Sequence, residues 1–179
     1  MLWKKIYKIL APVSTVLRVV IPFFIFRFPI LVTFLAVGLD WIDGEFYYQW
    51  KIKRIIYNYF DKGLDLYWYT FSLYFAYYSL PYFYLLLVLY LIRLLGQILF
   101  YVTKSDNVFI FFPNFYEFIF IFILIAKYFK FTSLLSGGNN FTVIVVALCL
   151  LKLTQELYAH HYSIMVNDKI PEWMRGPDR

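Results

Sequence analysis

Four aspartates are the residues of this chain best placed to do chemistry. Asp40 and Asp43 stand three apart and Asp61 and Asp65 four apart, all within 26 residues. Those spacings put each pair on one face of a helix. The short polar link Gln49-Trp-Lys-Ile-Lys-Arg54 would make the two helices antiparallel neighbours, so that four carboxylates meet at one mouth. Carboxylates gathered in that way repel and desolvate one another unless cations neutralise them. Hard oxygen ligands suit Mg²⁺, Mn²⁺ or Ca²⁺, and a pair of such ions is typical of phosphoryl chemistry. Asp61 and Asp65 also read as acids favoured by the dipole at a helix N-terminus. Asp40 does not, because it ends an apolar run towards a helix C-terminus, where a bare anion is disfavoured.

The elements that must carry these residues are set by composition. Of 179 residues, 63% are hydrophobic, 25% aromatic and only 16% charged. A soluble domain has about 45–50% apolar and about 25% charged residues, which argues against a water-soluble enzyme, a disordered tail or a nucleic-acid module. Breakers divide the chain into six apolar segments: Pro12 to Phe26, with a kink at Pro22; Pro29 towards Trp50; Asn58 to Leu80; Pro81 to Val102; Pro113 to Phe131; and Phe141 to Tyr158. Residues 1–11 form a basic interfacial segment anchored by Trp3 and Tyr7, residues 12–163 a six-helix transmembrane domain, and residues 164–179 a polar cytoplasmic tail. The N-terminus lacks the small-residue cleavage site of a signal peptide, and Arg18 interrupts its apolar run. The first helix is therefore expected to be retained.

With the N-terminus inside, Lys4, Lys5, Lys8, Lys51, Lys53, Arg54, Lys62, Lys104, Lys169, Arg175 and Arg179 fall on the inner side, and Arg27, Lys127 and Lys130 on the outer. That bias predicts two cytoplasmic termini in the cell (inner) membrane, and the net charge of +6 then marks anionic headgroups rather than nucleic acid. From Pro29 to Asp40 is about 16 Å of helix, half of a ~30 Å hydrocarbon core. The aspartates should therefore line a polar cavity in the inner leaflet. The expected fold is an all-α integral membrane protein with six transmembrane helices and a cytoplasm-facing polar cavity.

The stretch Asp40-Trp-Ile-Asp43-Gly44, followed after 16 residues by Asp61-Lys-Gly-Leu-Asp65, resembles the signature of the CDP-alcohol phosphatidyltransferases, D-x2-D-G-x2-A-R-x8-G-x3-D-x3-D. All four aspartates and the first glycine stand at the family's offsets. Upstream, Thr15-Val-Leu-Arg18 and Ile21-Pro-Phe-Phe resemble the T-x-x-R and I-P-F pattern of its first helix, and six membrane helices after a basic segment are similar to its architecture. The resemblance implies that Asp40, Asp43, Asp61 and Asp65 hold two Mg²⁺ or Mn²⁺ ions gripping the pyrophosphate of a CDP-linked lipid. It further implies that Gly44 lets backbone approach the nucleotide, and that Asp65 is the base taking a proton from an alcohol acceptor as CMP leaves. A homodimer is implied as well. The chain departs from the pattern at Ala-Arg, replaced by Tyr47-Tyr48, and at the second glycine, replaced by Tyr57. These tyrosines would crowd a cytidine pocket and remove a cation, for which Lys51, Lys53 or Arg54 are the nearby substitutes.

Other residues carry alternatives. Arg93, in the fourth helix, is a candidate phosphate or acceptor contact, or a snorkelling arginine. Glu117 pairs with Arg93 or suits its own helix dipole. Lys152 and Glu156, four apart, neutralise each other. His160 and His161 read as interfacial, Cys149 as a buried inert thiol, and Asn140-Phe-Thr142 as a weak glycosylation match. The expected function is metal-dependent transfer of a phosphatidyl or related substituted phosphate group from a CDP-linked donor to an alcohol in phospholipid synthesis. The alternatives are a catalytically silent or altered-donor relative that keeps the cluster for structure or partner binding, and a small transporter using Arg93, Glu117, Lys152 and Glu156.

Overall fold

The computed structural model describes residues 2–50, 52, 54–105, 107–136 and 138–166, with side chains placed for 6–47, 50, 52, 56–105, 107–131, 133–136 and 138–158. The side chains of Trp3, Lys4, Lys5, Tyr48, Lys51, Lys53, Arg54, His160 and His161, and the tail from Asn167, lie outside the described residues. Among the described residues all regular structure is helical: α1 Leu2–Val20, α2 Pro29–Gln49, α3 Arg54–Ser79, α4 Phe83–Thr103, α5 Val108–Phe111, α6 Phe115–Tyr128 and α7 Asn139–Val166. Among the described residues three stretches are long and apolar enough to cross a membrane, Ile6–Phe24, Phe83–Thr103 and Asn139–Tyr158, which fits a membrane protein. Of the others expected to span, α2 carries Asp40, Asp43 and Glu45. The 14 residues of α6 reach only about 21 Å.

The described residues divide into two compact units, those up to Phe71 and those from Ser72 onward, the division falling within α3. In the first unit, α1 already starts at Leu2, so the basic N-terminal residues are continuous with the first apolar run. It passes through Pro12, a break in the ladder that a helix in lipid accommodates more readily than one in water. It tightens at Pro22 into the 3₁₀ turn Ile21–Phe24, where the Arg27 and Phe28 amides both donate to the Phe24 carbonyl at 3.0 Å. Pro29 then opens α2, its fixed φ suiting the first helical position and its missing N–H one that would be unsatisfied anyway. The helices α1 and α2 pack together, and α3 meets them through side chains, among them the Tyr67 hydroxyl donating to the Val19 carbonyl at 2.9 Å.

In the second unit the apolar core is larger: Phe75, Leu86, Phe100, Tyr116, Ile119, Phe120, Ile123 and Leu124 are all at most 1% exposed. Left-handed residues punctuate the chain here, Tyr82 (φ 62°) before α4, Lys104 (φ 58°) after it and Lys130 (φ 58°) after α6. The segment expected from Pro113 is the helix α6; Pro113 cannot donate to a helix continuing from before it, and α5 precedes it as a separate turn. Asn114 caps α6: its side-chain oxygen accepts from the Glu117 amide at 3.4 Å, and its Nδ2 donates to the Glu117 carboxylate at 2.6 Å. At Gly96 in α4 an added Cβ would lie 2.4 Å from the Phe112 Cβ, so only glycine lets the helix come that close to the chain between α5 and α6.

Large apolar side chains point outward. Trp41 is 82% exposed, and Phe23, Leu31, Phe34, Val102 and Phe111 are all more than half exposed. In the first unit the buried set mixes apolar and polar groups: Ala11, Ile25, Val32, Ala36, Trp68 and Tyr69 together with Ser14, Arg18, Thr33, Asp43, Asp61 and Asp65. Exposed apolar surface on this scale is anomalous in water and ordinary in hydrocarbon.

Candidate metal centre

The site is assembled from three helices of the first unit. Spacing three turns Asp40 and Asp43 to one face of α2, and spacing four does the same for Asp61 and Asp65 on α3. Between them stands a residue of α1, Arg18, whose side chain is 6% exposed. Its Nη2 donates to Asp40 Oδ1 at 2.7 Å and to Asp65 Oδ1 at 2.9 Å. Its Nη1 donates to Asp61 Oδ1 at 2.9 Å and to Asp43 Oδ2. One planar guanidinium thus touches all four carboxylates, a task for which its rigid fork of donors is suited and a lysine's point charge is not.

A second cation flanks the cluster. Lys62 Nζ donates to Asp61 Oδ2 at 2.7 Å and to Asp65 Oδ2 at 3.1 Å. The carboxylates differ in depth: Asp43, Asp61 and Asp65 have side chains 1%, 9% and 8% exposed, against 35% for Asp40. Four carboxylates facing two cations leave an excess of two negative charges when all are ionised, and one divalent ion would cancel it. One oxygen each from Asp40, Asp61 and Asp65 lie within 4.8 Å of one another, a spread compatible with ligands around a single hard cation. Those three residues could hold such an ion; Asp43 stands outside that set and is engaged instead by Arg18 and Tyr57.

Tyr47 and Tyr57 fill the space beside the cluster. Tyr57 Oη donates to Asp43 Oδ1 at 2.6 Å, and its ring lies 5.1 Å from that of Tyr47. Tyr47 Oη shares a 2.6 Å hydrogen bond with Thr15 Oγ1, so the tyrosine also ties α2 to α1. A Cβ on Gly44 would meet Tyr57 Oη at 3.2 Å, so the opening that Gly44 leaves is taken up by a phenol.

Sequence reasoning named the four aspartates but gave Arg18 no role beyond a break in an apolar run and a match to T-x-x-R, and it counted Lys62 only as an inner-side cation. The signal for Arg18 was present: a charge inside an apolar helix must find a partner, and this chain has one dense acidic cluster to offer. Arg93 belongs to the other unit. It is buried, donates to the Phe112 carbonyl at 3.1 Å and stacks 4.3 Å from the Phe109 ring. Glu117 accepts from the Asn114 side chain at the start of its own helix. Lys152 and Glu156 form the expected ion pair at 3.0 Å, with Lys152 also 5.1 Å from the Phe118 ring. Cys149 is a half-buried free thiol. No family model matches the chain, and neither a curated protein nor a solved structure matches it.

Proposed function

We propose that this protein is a membrane-embedded, metal-dependent transferase that moves a phosphatidyl or related substituted phosphate group from a CDP-linked donor to an alcohol, releasing CMP. The observation that carries the proposal is the meeting of four aspartates from α2 and α3, at the offsets of the family signature, with oxygens of Asp40, Asp61 and Asp65 within 4.8 Å of one another. In this proposal α2, α3 and α6 also cross the bilayer, giving six spans, and the cluster opens to the cytoplasmic side with both termini.

A bound divalent ion would offset charge on the phosphoryl group being transferred. The chain's own residues supply the rest. Asp65 takes the proton of the acceptor hydroxyl on its carboxylate, making a weak nucleophile competent. Lys62, bonded to both Asp61 and Asp65, orients that carboxylate. The Tyr47–Tyr57 pair bounds the site beside Gly44 and limits what can lie there. The apolar outer faces of the helices keep the diacyl part of a donor in hydrocarbon while its headgroup meets the cluster.

A second reading rests on Tyr57. With its hydroxyl on Asp43 and its ring against Tyr47, the space for a cytidine is reduced, which favours an altered donor or a catalytically silent relative. The test is release of CMP from CDP-diacylglycerol by purified protein with Mg²⁺ or Mn²⁺ and a panel of alcohols. Metal-dependent release is expected, with Asp65→Asn lowering it at least about 100-fold. No release from the unaltered chain, with release gained in Tyr57→Gly, would support the second reading. No release from either would overturn the CDP-dependent enzyme.

A further inference from the structure

The donors that suit a divalent ion are the same ones that Arg18 occupies. Asp40, Asp61 and Asp65 each give an oxygen to the guanidinium at 2.7–2.9 Å. A guanidinium at the point where these carboxylates meet and an ion bound by the same three residues place positive charge in the same small volume. At these separations the repulsion between them is large even with protein-like screening. Arg18 is also the only one of these charged groups carried by α1; the carboxylates and Lys62 sit on α2 and α3.

We propose that Arg18 is a displaceable internal counter-ion. In the metal-free protein it holds the four carboxylates together, and an entering divalent ion takes oxygens of Asp40, Asp61 and Asp65 while the guanidinium gives them up. This rests on the metal-site reading above and adds to it a positioning role for a residue outside the aspartate motif. By holding like charges together before the ion arrives, Arg18 keeps the ligands converged. By competing for them, it weakens ion binding. The two effects have opposite signs on two measurable quantities, stability without metal and affinity for metal, whereas removing a merely structural arginine would lower both.

The experiment uses the full chain in lipid nanodiscs, stripped with EDTA and titrated with Mn²⁺. Free ion is followed by electron paramagnetic resonance, and thermal unfolding is followed in parallel. Arg18→Gln is expected to bind Mn²⁺ at least about tenfold more tightly than the unaltered chain, to melt at a lower temperature without metal, and to recover on adding Mn²⁺. Arg18→Lys, which keeps the charge but not the fork, is expected to fall between. If the unaltered chain binds Mn²⁺ and Arg18→Gln binds it equally or more weakly, the displacement is overturned while the metal site stands. If neither binds, both are overturned and Arg18 is a fixed counter-ion. Should Arg18→Gln fail to fold, a structure of the unaltered protein with Mn²⁺ decides. The guanidinium leaving at least two of its carboxylates is the expected result, and its keeping all four overturns the proposal.

Discussion

Asp43 is the most enclosed carboxylate of the cluster, and its neighbours explain how a charge survives there. Arg18 supplies an opposite charge, and the Tyr57 hydroxyl, 2.6 Å away, occupies one oxygen. A hydrogen bond to a charged group is among the stronger ones. Tyr57→Phe keeps the ring against Tyr47 and deletes only the donor, so a loss of about 1.5 kcal/mol is expected, the lower end for a bond to a charged partner because the tyrosine is partly exposed. Denaturant unfolding in mixed micelles measures it, and unchanged stability would show that water replaces the hydroxyl. At this scale the sequence was partly legible. Residue types and offsets disclosed the aspartates, since spacing fixes which face a side chain leaves. They did not disclose that Tyr57 turns towards Asp43, which depends on how α3 is rotated against α2.

The elements show the same division. Prolines marked the starts of α2 and the break before α6 because a missing N–H acts locally wherever the chain goes. The left-handed Tyr82 and Lys104 and the separate turn α5 carried no such mark, being imposed by how neighbouring segments pack. Two glycines make the distinction testable. Gly96 lies against Phe112, with 2.4 Å available to a Cβ, whereas Gly38 in α2 has nothing within 4 Å. Gly96→Ala should overpack and cost about 1–3 kcal/mol, seen as a lower melting temperature. Gly38→Ala should be neutral or stabilise by about 0.5–1 kcal/mol through helix propensity alone. Equal effects at the two sites would mean that the close approach at Gly96 is not maintained in the bilayer.

For the whole molecule, composition disclosed the solvent: many large apolar groups face outward while Arg18, Asp43, Asp61, Asp65, Arg93 and Lys152 are buried, which fits a surrounding of hydrocarbon. The number of spans was less legible, because α2 carries three acids and α3 is rich in tyrosine, so neither reads as a plain apolar span. The six-span proposal has a direct check. Single cysteines replacing Arg27 or Lys130, in a Cys149→Ser background, should react with a membrane-impermeant maleimide added to intact cells. A cysteine replacing Lys104 should react only after permeabilisation. Labelling of all three from outside would remove the proposed topology.

The position of Arg18 also has a consequence for synthesis. The ribosome delivers α1 before α2 and α3, so on the proposed topology the arginine would reach the lipid ahead of the aspartates that neutralise it. An arginine near the centre of a lone spanning helix is disfavoured by about 2.5–3.5 kcal/mol during translocon insertion, and an aspartate carries a similar penalty. On the proposed topology each charge counts against insertion of its own helix, and their meeting offsets both penalties. Under the proposed six-span topology the cluster would therefore couple secure insertion of the first helix to arrival of the next two, and a chain interrupted between them would hold its first helix in the membrane less firmly.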